Sequence, residues 1–524
     1  MVSTKSGSDF FLESYLRGDL NSFFRVSPND IESALKLPSR AVSPSICKAL
    51  EKTALRHGAP QEVMENIAIL RGTEARVVVT GQQPGLLLGP AFSLSKALTA
   101  VRLAEELSQP EKPVVPVFWV ASQDHDHEEI NHTYLLDLDE QLHRVAVDLA
   151  QDVPSGRIPM TDRILGEALA SLAELKVPDK ALAEVTELLE SSARASNTYA
   201  DWFVGQMYRL LGHSGLVLLD PLDIGIAPHF NDVLEAELES PAASIKAIMS
   251  AASELRLAGF EPQLGRGVDA TNLFLEELGD LPRRSLLRFD GTMFRFGEQQ
   301  FSTEALKLVT KESPGRITPA AGLRPITQDA ILPNIATVVG PGELRYLAQL
   351  RDVYRCHGIS MPLIWPRSTV TVAEPPVQRI LKRYDIDYRE IVAGSESVFE
   401  EIILKRRGHV TAFTKASDEI EKSFEELITE VSSIEPTLSR PLSRAVRAHD
   451  RIVSRLRGKV AHAALMNDTV TNRQFQRLRL HLRPAGQPQE RILSGYSYML
   501  KFGVQSYIEA LQAVSSKGEV LVKF

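Results

Sequence analysis

The stretch Asp124-His-Asp-His-Glu-Glu-Ile-Asn-His132 gathers carboxylates and imidazoles at short spacing. Asp124, His125 and Asp126 are candidates for proton transfer. An imidazole shuttles protons near neutral pH, and a neighbouring carboxylate fixes its tautomer. A helix beginning near Asp124 would place Asp124 with Glu128, and His125 with Glu129, on common faces. The stretch follows directly on the apolar run 114–120, so it marks the end of a buried strand. The alternative is a capped, solvated helix start. Acid/base work or substrate binding fits better than a metal. No His-Glu-x-x-His occurs, and His125, His127 and His132 fall at spacings of two and five, which share a helical face poorly.

A second cluster precedes it. Gly81, Gly85 and Gly89, with Pro84 and Pro90, separate the β-branched run 77–79 from a helical pattern at Leu94, Ala97, Leu98, Val101, Ala104 and Leu107. The glycine spacing is neither the dinucleotide fingerprint nor a Walker A loop. Backbone amides of such a turn before a helix can still hold an anion. Ser93 and Lys96 on the first turns would add a hydroxyl and an ammonium. The other reading is a tight turn with a capping serine.

Polar groups recur around a later strand. Arg324, Gln328 and Asp329 precede it, Gly340-Pro-Gly-Glu343 follows it, and Arg367 ends the next one. Arginine is the natural fork for a carboxylate or phosphate, and surface salt bridges are the alternative for each. Arg483 and Arg491 lie in a turn-rich stretch with Gln489, where they could bind phosphate or cap helices.

These residues must be positioned by strands. Runs 77–79 and 114–120 with the helix between them make a βαβ unit, which crosses over right-handedly. A second such layout comprises strand 335–339, a helix over 344–357 and strand 361–365. Residues 8–69 and 160–212 read as helical, and 216–219 as a further strand. Residues 285–296 read as a hairpin about Asp290-Gly291. From 411 to 480 the apolar positions run Phe413, Ile420, Phe424, Leu427, Val431, Ile434 and then Leu442, Val446, His449, Val453, Leu456, Val460, Ala463. Pro436 and Pro441 bracket the break. This pattern predicts an antiparallel helical hairpin with coiled-coil seams.

Composition narrows the class. The 524 residues are 44% hydrophobic and 24% charged, as in an ordinary soluble globular protein. No apolar run is long enough to span a bilayer, and the first ten residues lack a signal-peptide core. Two cysteines, Cys47 and Cys356, exclude a disulfide framework and a Cys-rich zinc site, and fit a reducing cytoplasm. A net charge of −8 gives no bulk attraction to nucleic acid.

Taken together, the motifs resemble the BshC family, the cysteine-adding enzymes of bacillithiol biosynthesis. The matching segments are Thr80-Gly-Gln-Gln-Pro-Gly85 with Gly89-Pro90, Phe118-Trp-Val-Ala-Ser-Gln-Asp-His-Asp126, Asn131-His132, Leu323-Arg-Pro with Gln328-Asp329, Gly340-Pro-Gly-Glu343, Pro366-Arg367 and Pro488-Gln-Glu-Arg491. Many members carry an acidic residue where this chain has Gln123, so no proton-transfer role falls to that position. The resemblance implies an α/β fold: a Rossmann-like parallel-sheet core with inserted connecting segments over 1–374, a helical antiparallel coiled-coil domain over 375–482, and a C-terminal segment, 483–524, returning to the core. It implies a cytoplasmic homodimer formed through the coiled coil, with no nucleic-acid or membrane partner. The implied reaction joins the carboxyl of L-cysteine to the amine of glucosaminyl-malate.

A carboxylate resists amine attack, so it must be activated, most simply as an adenylate or acyl phosphate. ATP or ADP with Mg2+ is the implied cofactor, with no tightly bound core metal. On this reading Asp124, His125 and Asp126 orient the sugar and accept the amine proton. Gly81, Gln82, Gln83, Ser93, Lys96, Asn131, His132, Arg324, Gln328 and Arg367 bind substrate, the glycine turn with Ser93 and Lys96 taking an anion and the two arginines with Gln328 a carboxylate. Arg483, Gln489 and Arg491 bind nucleotide. Two alternatives stay open: a nucleotide-using ligase for another amino acid or amine, and a non-catalytic nucleotide-binding coiled-coil dimer.

Overall fold

In the computed structural model, residues 7–265, 267, 269–408, 410–435 and 439–524 are described. The N-terminal residues 1–6 and Pro436, both used in the sequence reading, lie outside them. The chain divides into two units, Met1–Val370 with Leu493–Val520, and Thr371–Ile492 with Leu521–Phe524.

The first unit is built on five parallel strands: β1 Arg76–Gln82, β2 Val114–Val120, β3 Val217–Leu219, β4 Asn334–Val339 and β5 Leu363–Pro366. Their order is β5-β4-β1-β2-β3. Every residue of β2 is buried, and a near-continuous apolar run of this kind is what a sheet covered on both faces requires. The helix Phe92–Leu107 makes the predicted crossover from β1 to β2. Its Ala100, Leu103 and Ala104 join Val78, Val338 and Leu363 in one core cluster. From β1 the chain winds outward through β2 to β3, and later returns to the other side of β1 as β4 and β5. The sheet therefore reverses between β1 and β4. At such a reversal the loops after the two strands part and leave a crevice at the strands' carboxyl ends.

A five-stranded antiparallel sheet orders Ile317–Pro319, Ala270–Glu276, Arg284–Phe289, Phe294–Phe296 and Gln299–Phe301. Its hairpin turns at Asp290-Gly291 as expected. Asp290 Oδ1 accepts the Thr292 and Met293 amides, and Gly291 has φ 101°. A smaller pair, His132–Leu136 with Leu142–Ala146, follows the site segment.

Two local expectations are corrected. Residues 344–357 are not one helix but two, Pro341–Leu347 and Arg351–Cys356. The break holds Gln349, whose buried amide bonds the backbone of Gln263 and Leu264 instead of facing solvent. No helix begins at Asp124 either. Helix starts only at His127, as the single turn His127–Ile130. Asp124 Oδ1 accepts the His125 amide and the Asp124 carbonyl accepts the Ser155 amide, which hold the chain in a turn.

The second unit is helical. Val410–Ile434 and Ser439–Met466 form the predicted hairpin, with Phe424 and His449 rings 6.2 Å apart across it. Phe399, Ile403, Ala461, Leu465, Phe475 and Leu478 anchor its base in a core of its own.

Gly81 marks how tightly β1 and β2 approach. A Cβ there would lie 2.7 Å from the Trp119 carbonyl oxygen and 3.0 Å from the Trp119 Cβ. Because neighbouring backbone cannot yield as a side-chain tip can, Gly81→Ala is expected to destabilise by about 1–3 kcal/mol. Denaturant unfolding measures this, and an unchanged midpoint would contradict it.

Candidate active site

The crevice between β1 and β4 is bridged by one lysine. Lys96, only 3% exposed, donates to the Gly81 carbonyl and to Gln82 Oε1, both at 2.9 Å. It also pairs with Glu343 Oε2 at 2.5 Å. Glu343 in turn accepts the Gly340 amide at 2.8 Å, capping the helix after β4. The lysine charge is thus met by a carboxylate, and the pair joins the loops after β1 and β4. Beside it Arg367 donates to Ser95 Oγ at 3.2 Å and to the Ser368 carbonyl at 2.9 Å, with its guanidinium 5.4 Å from the Phe92 ring centre.

The glycine turn is a tight structure. A Cβ on Gly85 would lie 2.9 Å from the Gly89 Cα, and Gly89 has φ 65°. Leu87 and Leu88 also take positive φ, at 49° and 62°. The strain is held from outside: the Leu493 carbonyl accepts the Ala91 amide at 2.8 Å, and Ser494 Oγ donates to the Leu87 carbonyl at 2.7 Å. The Ser93 hydroxyl is fully buried at the helix start and has no hydrogen-bond partner.

At the end of β2, Asp124 is clamped. Arg324 Nη2 donates to its Oδ2 at 2.9 Å, and Arg284 Nη1 lies 3.9 Å from its Oδ1. Burial pushes this carboxyl up, but Arg324 and Arg284, with a hydrogen bond from Gln83, outweigh it and hold its pKa well below the usual carboxylate range. His125 is held below the ordinary imidazole value, by burial first and by Arg284 second. Asp126 is exposed, next to the single helical turn. Glu129 on that turn is raised by burial and by Asp126 and Asp124, while Arg324 and Lys96 oppose the rise. It therefore lies within electrostatic reach of cations from both sides of the crevice. Asn131 Oδ1 meets His132 Nδ1 at 2.9 Å, and burial with Arg144 lowers the His132 pKa.

Of the residues expected from sequence, Gln82, Gln83, Lys96, Asp124 and Arg324 are joined through these contacts, with Gly81 and Gly340 supplying backbone. Gln328 is directed elsewhere. Its amide donates to Asp329, which also accepts from Asn334 at the opposite, amino end of β4 and from Tyr354. In the second unit, Arg483 donates to the Val392 carbonyl at 2.5 Å and packs on Gly394. Gln489 bonds both the amide and carbonyl of Val372 and the His481 carbonyl. Both therefore brace backbone, and Arg491 is the exposed one of the three. Among the described residues no group of three or more His, Cys, Asp or Glu is arranged to hold a metal ion, and no helix is long and apolar enough to cross a membrane.

Sequence reasoning missed Arg284 and Phe274, which the antiparallel sheet brings to His125. The Arg284 guanidinium lies 3.9 Å from the Phe274 ring centre, and His125 meets that ring edge-on at 5.4 Å. No local signal marked it: Arg284 is buried at the start of its strand while Arg283, just before it, is exposed, and the strand's burial does not follow a simple alternation.

The Asp124 clamp carries a pH signature. A carboxylate with a depressed folded pKa adds stability above its unfolded pKa and loses it as pH falls through the folded value. Asp124→Asn takes from Arg324 its paired carboxylate and leaves Arg284 with Glu276 alone, so it is expected to destabilise by about 3 kcal/mol at neutral pH. The deficit should shrink only below about pH 4. Urea midpoints of both proteins at pH 7 and pH 3 test this, and an equal gap at both would refute it.

Comparison with known proteins agrees with this architecture. A family model described as the bacillithiol biosynthesis BshC N-terminal Rossmann-like domain matches residues 2–368. Its companion, the BshC C-terminal coiled-coil domain, matches residues 370–519. A Thermus thermophilus protein named "Putative cysteine ligase BshC" is 38% identical over 90% of this chain and 93% of its own length. Its counterpart from a second strain of the same species, of the same name, is 39% identical over 85% and 87%. A Heliobacterium modesticaldum protein, again of that name, is 32% identical over 87% and 84%. With both domain models matched in order and relatives aligned along most of their length, the chain belongs to the BshC family.

Proposed function

We propose that this chain is an amide-forming ligase of bacillithiol biosynthesis, joining the carboxyl of L-cysteine to the amine of glucosaminyl-malate. The observation that carries the reading is the cluster of ionisable side chains at the carboxyl ends of the strands beside the sheet reversal. It sets an ionised, clamped Asp124 beside the exposed Asp126 and the proton-avid Glu129, in a chain whose relatives are named cysteine ligases.

The residues divide the work. Asp124 is a poor base, because two arginines stabilise its charge. It orients a hydroxyl or ammonium of the amino sugar. The amine must lose a proton before it attacks, and Asp126 and Glu129 are the carboxylates placed to take it. Arg324 and Arg367 supply forks for the malate and cysteine carboxylates. The buried Ser93 hydroxyl and the amides of the glycine turn suit an anionic oxygen. ATP with Mg2+, when bound, would supply the activation of the cysteine carboxyl, and the C–N bond forms as the activating phosphate or AMP leaves.

The direct test is incubation of the full chain with cysteine, glucosaminyl-malate and Mg-ATP, with mass detection of the thiol product. Asp126→Ala should lower turnover by about a hundred- to ten-thousand-fold while melting behaviour holds. No product with glucosaminyl-malate, or formation with a different amine only, overturns the assignment.

The same reading includes a homodimer through the helical hairpin. Leu427, Ile434, Ile452 and Leu456 are 42%, 78%, 64% and 53% exposed on it. Covering them with a second copy removes apolar surface from water, at about 25 cal/mol per Å². Light scattering is expected to give twice the chain mass at micromolar concentration, and Leu427→Lys with Leu456→Lys to give the monomer. A monomeric parent protein would rule this out.

A further inference from the structure

We propose that Arg284 is a positioning residue that holds His125 as a neutral imidazole with its proton on Nε2, making this histidine a hydrogen-bond donor in the crevice and not its base. The role in catalysis rests on the ligase reading above, but the tautomer does not.

A guanidinium carries only N–H donors and no acceptor. Arg284 Nη1 sits 3.5 Å from His125 Nδ1. A ring nitrogen facing it therefore presents its lone pair, and the ring proton must reside on Nε2. The guanidinium cannot rotate away. Its Nη1 also donates to the Gln123 carbonyl, its Nη2 donates to the Pro319 carbonyl at 3.1 Å, and its flat face covers Phe274. Arg284 is 3% exposed. On the histidine side, the Asp124 carboxylate accepts the His125 backbone amide and fixes where the ring departs from the chain. Phe274 meets the ring edge-on.

The charged groups around the ring are Arg284, which disfavours the imidazolium, and Asp124, Asp152 and Asp126, which favour it. Asp124 is itself paired with Arg324 and Arg284, so part of its pull is already neutralised. Glu276 also faces Arg284, although its nearest partner is Arg157 at 3.1 Å. Burial tips the balance toward the neutral ring. Neutral Nε2–H imidazole is a poor proton acceptor for an ammonium, because its free lone pair is turned to a cation. It is a good donor to a substrate oxygen on which negative charge develops, such as the carbonyl oxygen of an activated acyl group. The proton of the amine then goes to a carboxylate, in keeping with Asp126 and Glu129.

The test uses the full chain labelled with 15N-histidine. Two-bond 1H–15N correlation spectra separate the two neutral tautomers and the cation. The chain has 12 histidines, and the peaks lost in His125→Gln assign this one. The expected pattern near neutral pH is an unprotonated Nδ1 and a protonated Nε2, persisting below the ordinary histidine value of 6.5. An Nδ1–H tautomer or a cation near neutral pH overturns the proposal. Arg284→Gln keeps a donor but removes the charge, and should raise the His125 titration by about one pH unit. Should that variant not fold, the wild-type spectrum alone decides. A folded variant with unchanged titration also overturns it. Turnover adds the functional readout: kcat is expected to fall about a hundredfold with little change in KM, and equal effects on both would count against a transition-state donor. The spectra need no substrate. A confirmed tautomer without ligation would therefore refute the ligase reading and leave the role of Arg284 standing.

Discussion

The ion pair between Lys96 and Glu343 is the contact on which the site depends. Parallel strands that wind outward in both directions from one place must leave a gap there, because the connections after β1 and β4 depart to opposite sides. That gap is useful only if its walls are held at fixed separation. Lys96 grips the wall after β1 through the Gly81 carbonyl and Gln82, and the wall after β4 through Glu343. Glu343 gives the pair a second foothold by capping its own helix. A buried ammonium is costly unless it is paired, so the loop conformations and the ion pair stabilise each other. The glycine turn, the Asp124 clamp and the short turn bearing Glu129 are all placed relative to this bridge.

Two buried aspartates show how partner type decides chemistry. Asp124 and Asp329 both lose water. Asp329 receives three neutral donors, from Tyr354, Gln328 and Asn334, and a smaller pull from the charge of Arg40, and burial still pushes its pKa up to about 6. Asp124 faces two arginines, and its pKa falls well below the usual range. Neutral hydrogen bonds and the weak pull of Arg40 only soften the cost of desolvation at Asp329, whereas two arginines reverse it at Asp124. The first arrangement suits a brace, and the second suits a fixed negative charge beside a substrate. Asp220, at the end of β3, follows Asp329: Ser122 and the Leu222 amide are its donors, and burial pushes it up to about 6.

Much of this was written in short-range pattern. The valine runs of β1 and β2, the helix at Leu94–Leu107 spacing, the Asp290-Gly291 turn and the heptads beyond Phe413 each announce an element through local periodicity, and each is present. The glycine turn and the Asp124 stretch announced the crevice because both stand at strand ends. What failed was decided at long range. The helix expected from Asp124 lost to backbone bonds with Ser155. The single helix 344–357 broke where Gln349 was drawn to Leu264. Gln328 was read with Arg324 because both precede the strand at 335–339, yet one helical turn separates a residue that meets Asp124 from one that meets Asp329. Arg284, 159 residues from His125 along the chain, looked like half of an ordinary basic pair. Its neighbour Arg283 is exposed, and only the packing of the antiparallel sheet against His125 distinguishes them.

The bonds that close the glycine turn come from Leu493 and Ser494. The Ser494 bond spans 407 residues of chain, including all of the helical hairpin. On a ribosome adding about 5–20 residues per second, its two partners emerge roughly 20–80 seconds apart. Throughout that interval the nascent turn, with its positive-φ leucines, lacks the contacts that hold its shape. The sheet can assemble early, but the glycine turn is closed only after residue 494 has been made.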